Sequence, residues 1–247
     1  MFSTLHLVFI AEWTLFLLFE LLRGRLEGPA QFAAAAWPLL FFYAVGAALV
    51  ALSRRRERLA SARVLLLVAA LLVALDLALK ALAEGLLPEG GALPLLPGLL
   101  DFTHTLNRQG SWLAQVTGAQ PSAALRLVLL LIAAGMLPLA ALVHAYYASR
   151  VRRSLWADVA FLGIAAGVAG SLADLLLRGT VLDYIGLPGV IAADGKDLYL
   201  WLGVSGVLAE VFTAPGEPWR WRGWKEESAS AARQVKGLWD FAKRRPH

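Results

Sequence analysis

Residues 170–187 read GSLADLLLRGTVLDYIGL, the end of a hydrophobic run in which Asp174 and Asp183 fall where a membrane helix would have to stop. Ionisable side chains are expensive in lipid, so a carboxylate at the rim of an apolar segment is either a headgroup anchor or part of a reaction site. Asp174 and Asp183 are nine residues apart. On an unbroken helix, at about 100° per residue, that separation turns through roughly 900° and puts them on opposite faces. Gly179 argues against an unbroken helix. The stretch therefore predicts a helix that stops near Arg178, with Asp174 buried in a bundle as a hydrogen-bonding post and Asp183 just beyond, at the bundle's mouth.

The surrounding composition supports a bundle in lipid. Of 247 residues, 59% are hydrophobic and only 17% charged, with a mean hydropathy of +0.63, the balance of an integral membrane protein. The absence of cysteine excludes disulfides, thiolate metal sites and cysteine nucleophiles, and four scattered histidines give zinc little to bind. Chemistry must rest on carboxylates, hydroxyls, Asn, Lys or Arg. The net charge of +5 is no nucleic-acid footprint, because the basic residues sit in short clusters between hydrophobic runs. The first run, LHLVFIAEWTLFLLFELL, lacks a basic leader and a small-residue cleavage site and carries Glu12 and Glu20, so it is expected to stay in the protein as a span.

Six runs are long enough to cross roughly 30 Å of hydrocarbon: 4–22, 33–52, 64–83, 123–147, 156–177 and 198–213. Arg54, Arg55, Arg56 and Arg58 follow the second, Arg150, Arg152 and Arg153 the fourth, and Arg220, Arg222 and Lys225 the sixth. Placing these clusters inside puts both termini in the cytoplasm and the connections 23–32, 84–122 and 178–197 outside, with Arg23 and Arg25 as a minor exception. The 84–122 connection, with its alternating LDFTHTLNRQGSWLAQV, predicts a small β layer on the outer face, where Trp112 and Leu113 would lie at headgroup depth and cap a site. Residues 215–247 form a basic tail whose Ala231, Val235, Leu238, Trp239 and Ala242 share one face, as in a helix lying in the inner interface.

Polar residues concentrate on the outer side. Asp76 and Lys80 are four apart and share a helical face, spaced for an ion pair. His104 and Asn107 lie in the outer connection. Asp183 on one side of the last connection and Asp194 and Asp197 on the other can converge at the mouth of a bundle. Convergent carboxylates share a proton, leaving one ionised to activate water and one protonated to polarise a carbonyl, which is the arrangement of an aspartic protease.

The order of these elements resembles the lipoprotein signal peptidase (signal peptidase II) family of membrane aspartic proteases. The family's D-x-x-x-K is matched by Asp76 and Lys80, and its Thr-x-Asn-like outer segment before a glycine is comparable to His104, Thr105, Asn107 and Gly110. Its G-N-x-x-D-R-x-x-x-G-x-V-x-D-F helix end is matched by Gly170, Asp174, Gly179, Asp183 and the aromatic Tyr184, with Ser171 in place of Asn and Leu175 in place of Arg, for which Arg178 is a stand-in one turn on. The last helix opens with an Asp six residues before a glycine, as Asp197 stands to Gly203, whereas Asp194 has the preceding Ala193.

The resemblance covers residues 64–213. It implies an all-α integral membrane protein of six transmembrane helices: two additional spans over 1–62, a four-helix core over 63–214 with a small β layer, and an interfacial C-terminal helix. It further implies an endopeptidase of the bacterial inner membrane that cuts lipid-modified prolipoproteins at the outer face. Asp183 and Asp197 would be catalytic, with Asp194 the alternative second carboxylate. Asp76, Lys80, Asn107, Gly170, Asp174, Arg178 and Trp112 would support the site or the substrate. No metal or cofactor and no nucleic-acid partner is implied; membrane lipid and the precursor are. Two rival readings stay open: a non-catalytic descendant that binds lipopeptides or a membrane partner, motivated by the substitutions, and a transporter with Glu12, Glu20 and Asp76 as a proton path.

Overall fold

A computed structural model describes residues 4–108, 123–214 and 224–243, so Trp112, Leu113, Gly110 and most of the WRWRGW stretch lie outside the described residues. The N-terminal pair comprises α1 (Thr4–Leu22) and a broken second span, α2 (Pro29–Ala36) and α3 (Pro38–Ser53). The break is at Trp37–Pro38, because Pro38 has no N–H to continue the ladder and suits the first position of a new helix. Then follow α4 (Ala62–Leu86), β1 (Ala92–Leu96), β2 (Leu100–Asn107), α5 (Ala123–Arg150), α6 (Leu155–Leu177), β3 (Val181–Leu187), β4 (Ile191–Ala193), α7 (Gly195–Thr213) and the tail helix α8 (Trp224–Lys243). Five of the six expected runs are each one helix, the second being divided between α2 and α3, and α5 continues through Pro138.

Among the described residues five spans are long and apolar enough to cross a membrane, counting α2 and α3 as one, and the chain is a multi-pass membrane protein. Helix α7 carries Lys196, Asp197 and Glu210 and does not meet that criterion by itself. Packing holds it in the bundle: its contact with α6 is the most extensive between helices. The seam is made of glycines. A Cβ at Gly163 would lie 2.3 Å from the Gly203 nitrogen, and one at Gly206 would lie 2.6 Å from the Ala160 nitrogen. Small residues let helix backbones meet in lipid, where no hydrophobic force drives association.

The N-terminal pair is no loose appendage. Phe9 and Phe42 pack in one buried cluster with Trp156 of α6 and Trp201 of α7, the Phe42 and Trp201 ring centroids 4.0 Å apart. At the end opposite the sheet, Asp158 accepts from the Leu59 nitrogen and lies 2.8 Å from His144, while Arg152 donates to Glu210.

The connection 178–197, expected as a plain loop, instead supplies two strands to a four-stranded antiparallel sheet of order β1-β2-β3-β4. Gly179, at φ +68°, turns the chain out of α6 in the left-handed conformation open to glycine. The segment that follows is rich in β-branched and aromatic residues. Strand alternation then sorts its side chains: Leu182 and Tyr184 pack with Ala83 of α4, while Val181 and Asp183 turn to a cavity on the other face. Thr105 and Asn107 of β2 stand opposite Asp183 and Val181. The sheet, rather than a helix end, thus aims Asp183.

The glycine seam makes a direct prediction. Gly163→Val should destabilise the detergent-solubilised protein by about 1–3 kcal/mol or more in an unfolding titration, because the obstructing atoms are backbone. Gly135→Ala in α5, with nothing within 4 Å of the new methyl, should stabilise by roughly 0.5–1 kcal/mol through helix propensity. Equal effects would argue against a close-packed seam.

Candidate active site

At the centre of the sheet-bearing half of the bundle lies one ammonium group. Lys80 Nζ is 2.8 Å from Asp76 Oδ2, 2.6 Å from Asp174 Oδ2 and 2.6 Å from Asp194 Oδ2, all four side chains fully buried. The partners come from three elements: Asp76 from Lys80's own helix one turn back, Asp174 from the last turn of α6, and Asp194 from the cap of α7. Lys196, 6% exposed, adds a second ammonium that donates to Asp194 and lies 3.7 Å from Asp174. Gly170 leaves room for it, since a Cβ there would come within 3.1 Å of Lys196 Cβ. The cluster also fixes backbone: Asp76 Oδ1 accepts from the Gly195 nitrogen at 2.9 Å and from the Tyr184 hydroxyl at 3.1 Å, tying α4 to α7 and β3.

Asp194 and Asp197 divide the start of α7 between them. Asp194 is its N-cap, accepting from the Asp197 nitrogen, and Asp197 accepts in return from the Asp194 nitrogen, a reciprocal capping box. Asp194 is thereby committed to backbone and to two lysines. Asp197 keeps a half-exposed side chain, 3.9 Å from Lys196. Carboxylate oxygens of Asp183, Asp194 and Asp197 all lie within 4.8 Å of one another, so the convergence expected at the bundle mouth is present.

Asp183 is 2% exposed and accepts from Asn107 Nδ2 at 3.3 Å. Burial pushes its carboxyl up to about 7; Lys196 and the Asn107 hydrogen bond pull against this, and the charges of Asp194 and Asp197 add to it. Asn107, Ser171, Asp183, Lys196 and Asp197 line one part of a cavity of about 700 Å³ whose remaining walls are largely apolar and aromatic. Both acidic triads, Asp76 with Asp174 and Asp194 and Asp183 with Asp194 and Asp197, have oxygens close enough to share a cation. In the first, the Lys80 ammonium already occupies the position between them.

Other expected residues take supporting positions. Arg178 caps α6 and donates to Glu84 at 2.9 Å while lying 3.6 Å from Asp174, so it clamps the ends of α4 and α6. His104 lies 2.8 Å from the Leu87 carbonyl and ties the hairpin to the end of α4 rather than facing the cavity. Two contributors were not anticipated from sequence. Lys196 is one, although a lysine in the first turn of an apolar helix has to find a counter-charge. The aromatic side of α1, with Glu12, Trp13 and Phe16, lines the cavity although it belongs to the N-terminal pair.

The cluster holds three carboxylates against two ammonium groups, which fixes the order of its mutational effects. Lys80→Met should cost about 3–5 kcal/mol of stability, the usual cost of leaving buried charge uncompensated. Asp174→Asn, which leaves two carboxylates facing two lysines, should cost distinctly less in the same unfolding titration. The opposite order would show that Lys80 is not the organising charge.

Comparison with known proteins follows the same residues. The family model described as signal peptidase (SPase) II matches residues 68–213. No curated protein matches the chain. Two solved structures, each described as a bacterial membrane enzyme determined by the in meso method, at 1.9 and 2.3 Å, are similar in fold with a TM-score of 0.53. They are 20% and 19% identical to this chain, cover 64% and 66% of it, and are themselves covered to 98%, so about a third of this chain falls outside the likeness. The matched segment spans more than half of the chain and contains the whole Lys80 cluster together with Asn107, Asp183 and Asp197; the protein belongs to the signal peptidase II family.

Proposed function

We propose that the protein is an aspartic endopeptidase that removes signal peptides from lipid-modified prolipoproteins, with Asp183 and Asp197 as its catalytic pair. The observation that carries this reading is the convergence of the Asp183 and Asp197 carboxylates at one cavity whose other walls are largely apolar. Asp194 is close to both, but its capping and lysine bonds leave it a positioning residue. Asp183, pushed up to about 7 by burial, is the carboxyl of the pair that keeps a proton more readily, and Asp197, half-exposed beside Lys196, is the one that gives its proton up first.

The division of labour follows. Asp183 donates its proton as a hydrogen bond to the scissile carbonyl oxygen, and Asp197 accepts a proton from water as that water attacks the carbonyl carbon. In the tetrahedral intermediate the carbonyl oxygen has become a hydroxyl and Asp183 is ionised. Asp197 then passes its proton to the leaving nitrogen as the C–N bond breaks, and Asp183 recovers a proton as the new carboxyl group forms. Asn107 holds Asp183 in place throughout.

The site would lie at the outer face of the bacterial inner membrane, with both termini cytoplasmic. Because the chain has no cysteine, single-cysteine labelling reads this directly. Leu93→Cys in β1 should react with an impermeant maleimide on intact spheroplasts and Glu57→Cys should not; the reverse pattern would put the carboxylates on the wrong side for exported substrates.

On a lipid-modified model precursor, Asp183→Asn should lower cleavage by about 10²–10⁴-fold or more with an unchanged unfolding temperature. Full activity in a folded variant would remove Asp183 from catalysis, whereas no cleavage by the unaltered protein would favour a lipopeptide-binding role. Catalysis needs the proton on Asp183, so kcat/KM should fall as pH rises through about 7. Asn107→Ala removes a bond that favours the ionised form, so it should move that alkaline limb upward. A limb that stays in place would exclude Asp183 as its source.

A further inference from the structure

The cavity at the carboxylates has a neighbour. A second compartment of about 330 Å³ lies between the α2–α3 break, α4 and the inner face of the sheet, and shares Trp13, Phe42, Ile191, Ala193 and Leu198 with the first. Its lining is almost wholly carbon. Trp37 and Tyr184 face it, but the Trp37 ring N–H donates to the Leu99 carbonyl and the Tyr184 hydroxyl to Asp76, so neither polar end is free for a ligand. Asp101 is the one carboxylate among its described lining residues. Phe41 and Leu95, 44% and 53% exposed, belong to its more open side.

Part of its wall comes from outside the family match: Trp13, Trp37, Pro38, Phe41 and Phe42 all precede residue 68. The lining selects the class of occupant. Walls that are carbon apart from the Asp101 carboxylate suit a group that forms no hydrogen bonds, and a hydrocarbon chain is such a group.

We propose that the N-terminal helices build an acyl-chain pocket beside the carboxylates, with Trp13 and Phe42 as the partition that sets the substrate's lipid against its scissile bond. The assignment rests on the lipopeptide reading above and makes α1 and α3 specificity-determining elements of the site.

The test uses the full-length protein in detergent micelles and a diacylglycerol carrying a photoactivatable diazirine midway along one acyl chain, with labelled residues mapped by mass spectrometry. Label is expected on Tyr184 or Leu198, and Tyr184, only 5% exposed, is sheltered from bulk detergent. Excess unlabelled diacylglycerol should suppress it at least fivefold, as should Leu100→Trp, which fills the compartment. Competitors shortened by four methylenes per chain should need more than tenfold higher concentration. The competition arm uses the unaltered protein and stands even if Leu100→Trp does not fold. Label confined to outward side chains such as Leu40 or Leu131, or not suppressed by competitor, overturns the proposal. So does equal suppression by a non-acylated leucine-rich signal peptide, which would make the occupant a peptide side chain. No peptide bond is cut in this experiment, so its failure leaves the Asp183–Asp197 reading standing, and loss of that reading leaves the labelling result unchanged.

Discussion

The architecture of the site depends on the buried Lys80 ammonium. With three carboxylates around it from α4, α6 and the cap of α7, it fixes the relative positions of three helix ends that lipid would not otherwise order. A charge at this depth is tolerated only because every neighbour answers it, and the geometry that answers it leaves little freedom. Asp194 faces Lys80 and caps α7 with the same carboxylate, so the ion cluster also sets where α7 begins and hence where Asp197 points.

Asp183 reaches the same place by a different route. It sits on β3, and its direction is set by the alternation of that strand: Leu182 and Tyr184 are drawn to α4, which turns Asp183 to the cavity. The two carboxylates are thus delivered by independent devices, a helix cap on one side and a strand pleat on the other. The Asp76 carboxylate links them, accepting from Tyr184 of β3 and from the Gly195 nitrogen of α7. Such cross-bracing is how a site holds two like charges at short range without letting them drift apart.

Much of this could be read from the sequence, and the misses have physical reasons. The hydrophobic runs, the stop at Arg178 and the Asp76–Lys80 pair follow from local spacing, which a helix converts directly into position. The strands after Gly179 were missed because the acidic and glycine-bearing VLDYIGL looked like a loop between spans. The start of α7 is marked by Asp194 and Asp197, three apart before an apolar run, the capping pattern of a helix start, so the helix begins three residues before the hydrophobic run at 198. What no local pattern could give is the third dimension: that Lys196 joins the Lys80 cluster, or that Trp13 and Phe16 of a helix outside the family core form a wall of the cavity.

The claim that matters most is that the second catalytic carboxylate is Asp197 and that Asp194 serves the scaffold. Cleavage of a lipid-modified precursor by purified Asp197→Asn and Asp194→Asn, each with its unfolding temperature, measures it directly. The account predicts that Asp197→Asn folds as the parent does and does not cleave, whereas Asp194→Asn loses a large part of its stability. An Asp197→Asn protein that cleaves at the parental rate, beside a stable and inactive Asp194→Asn, would contradict it.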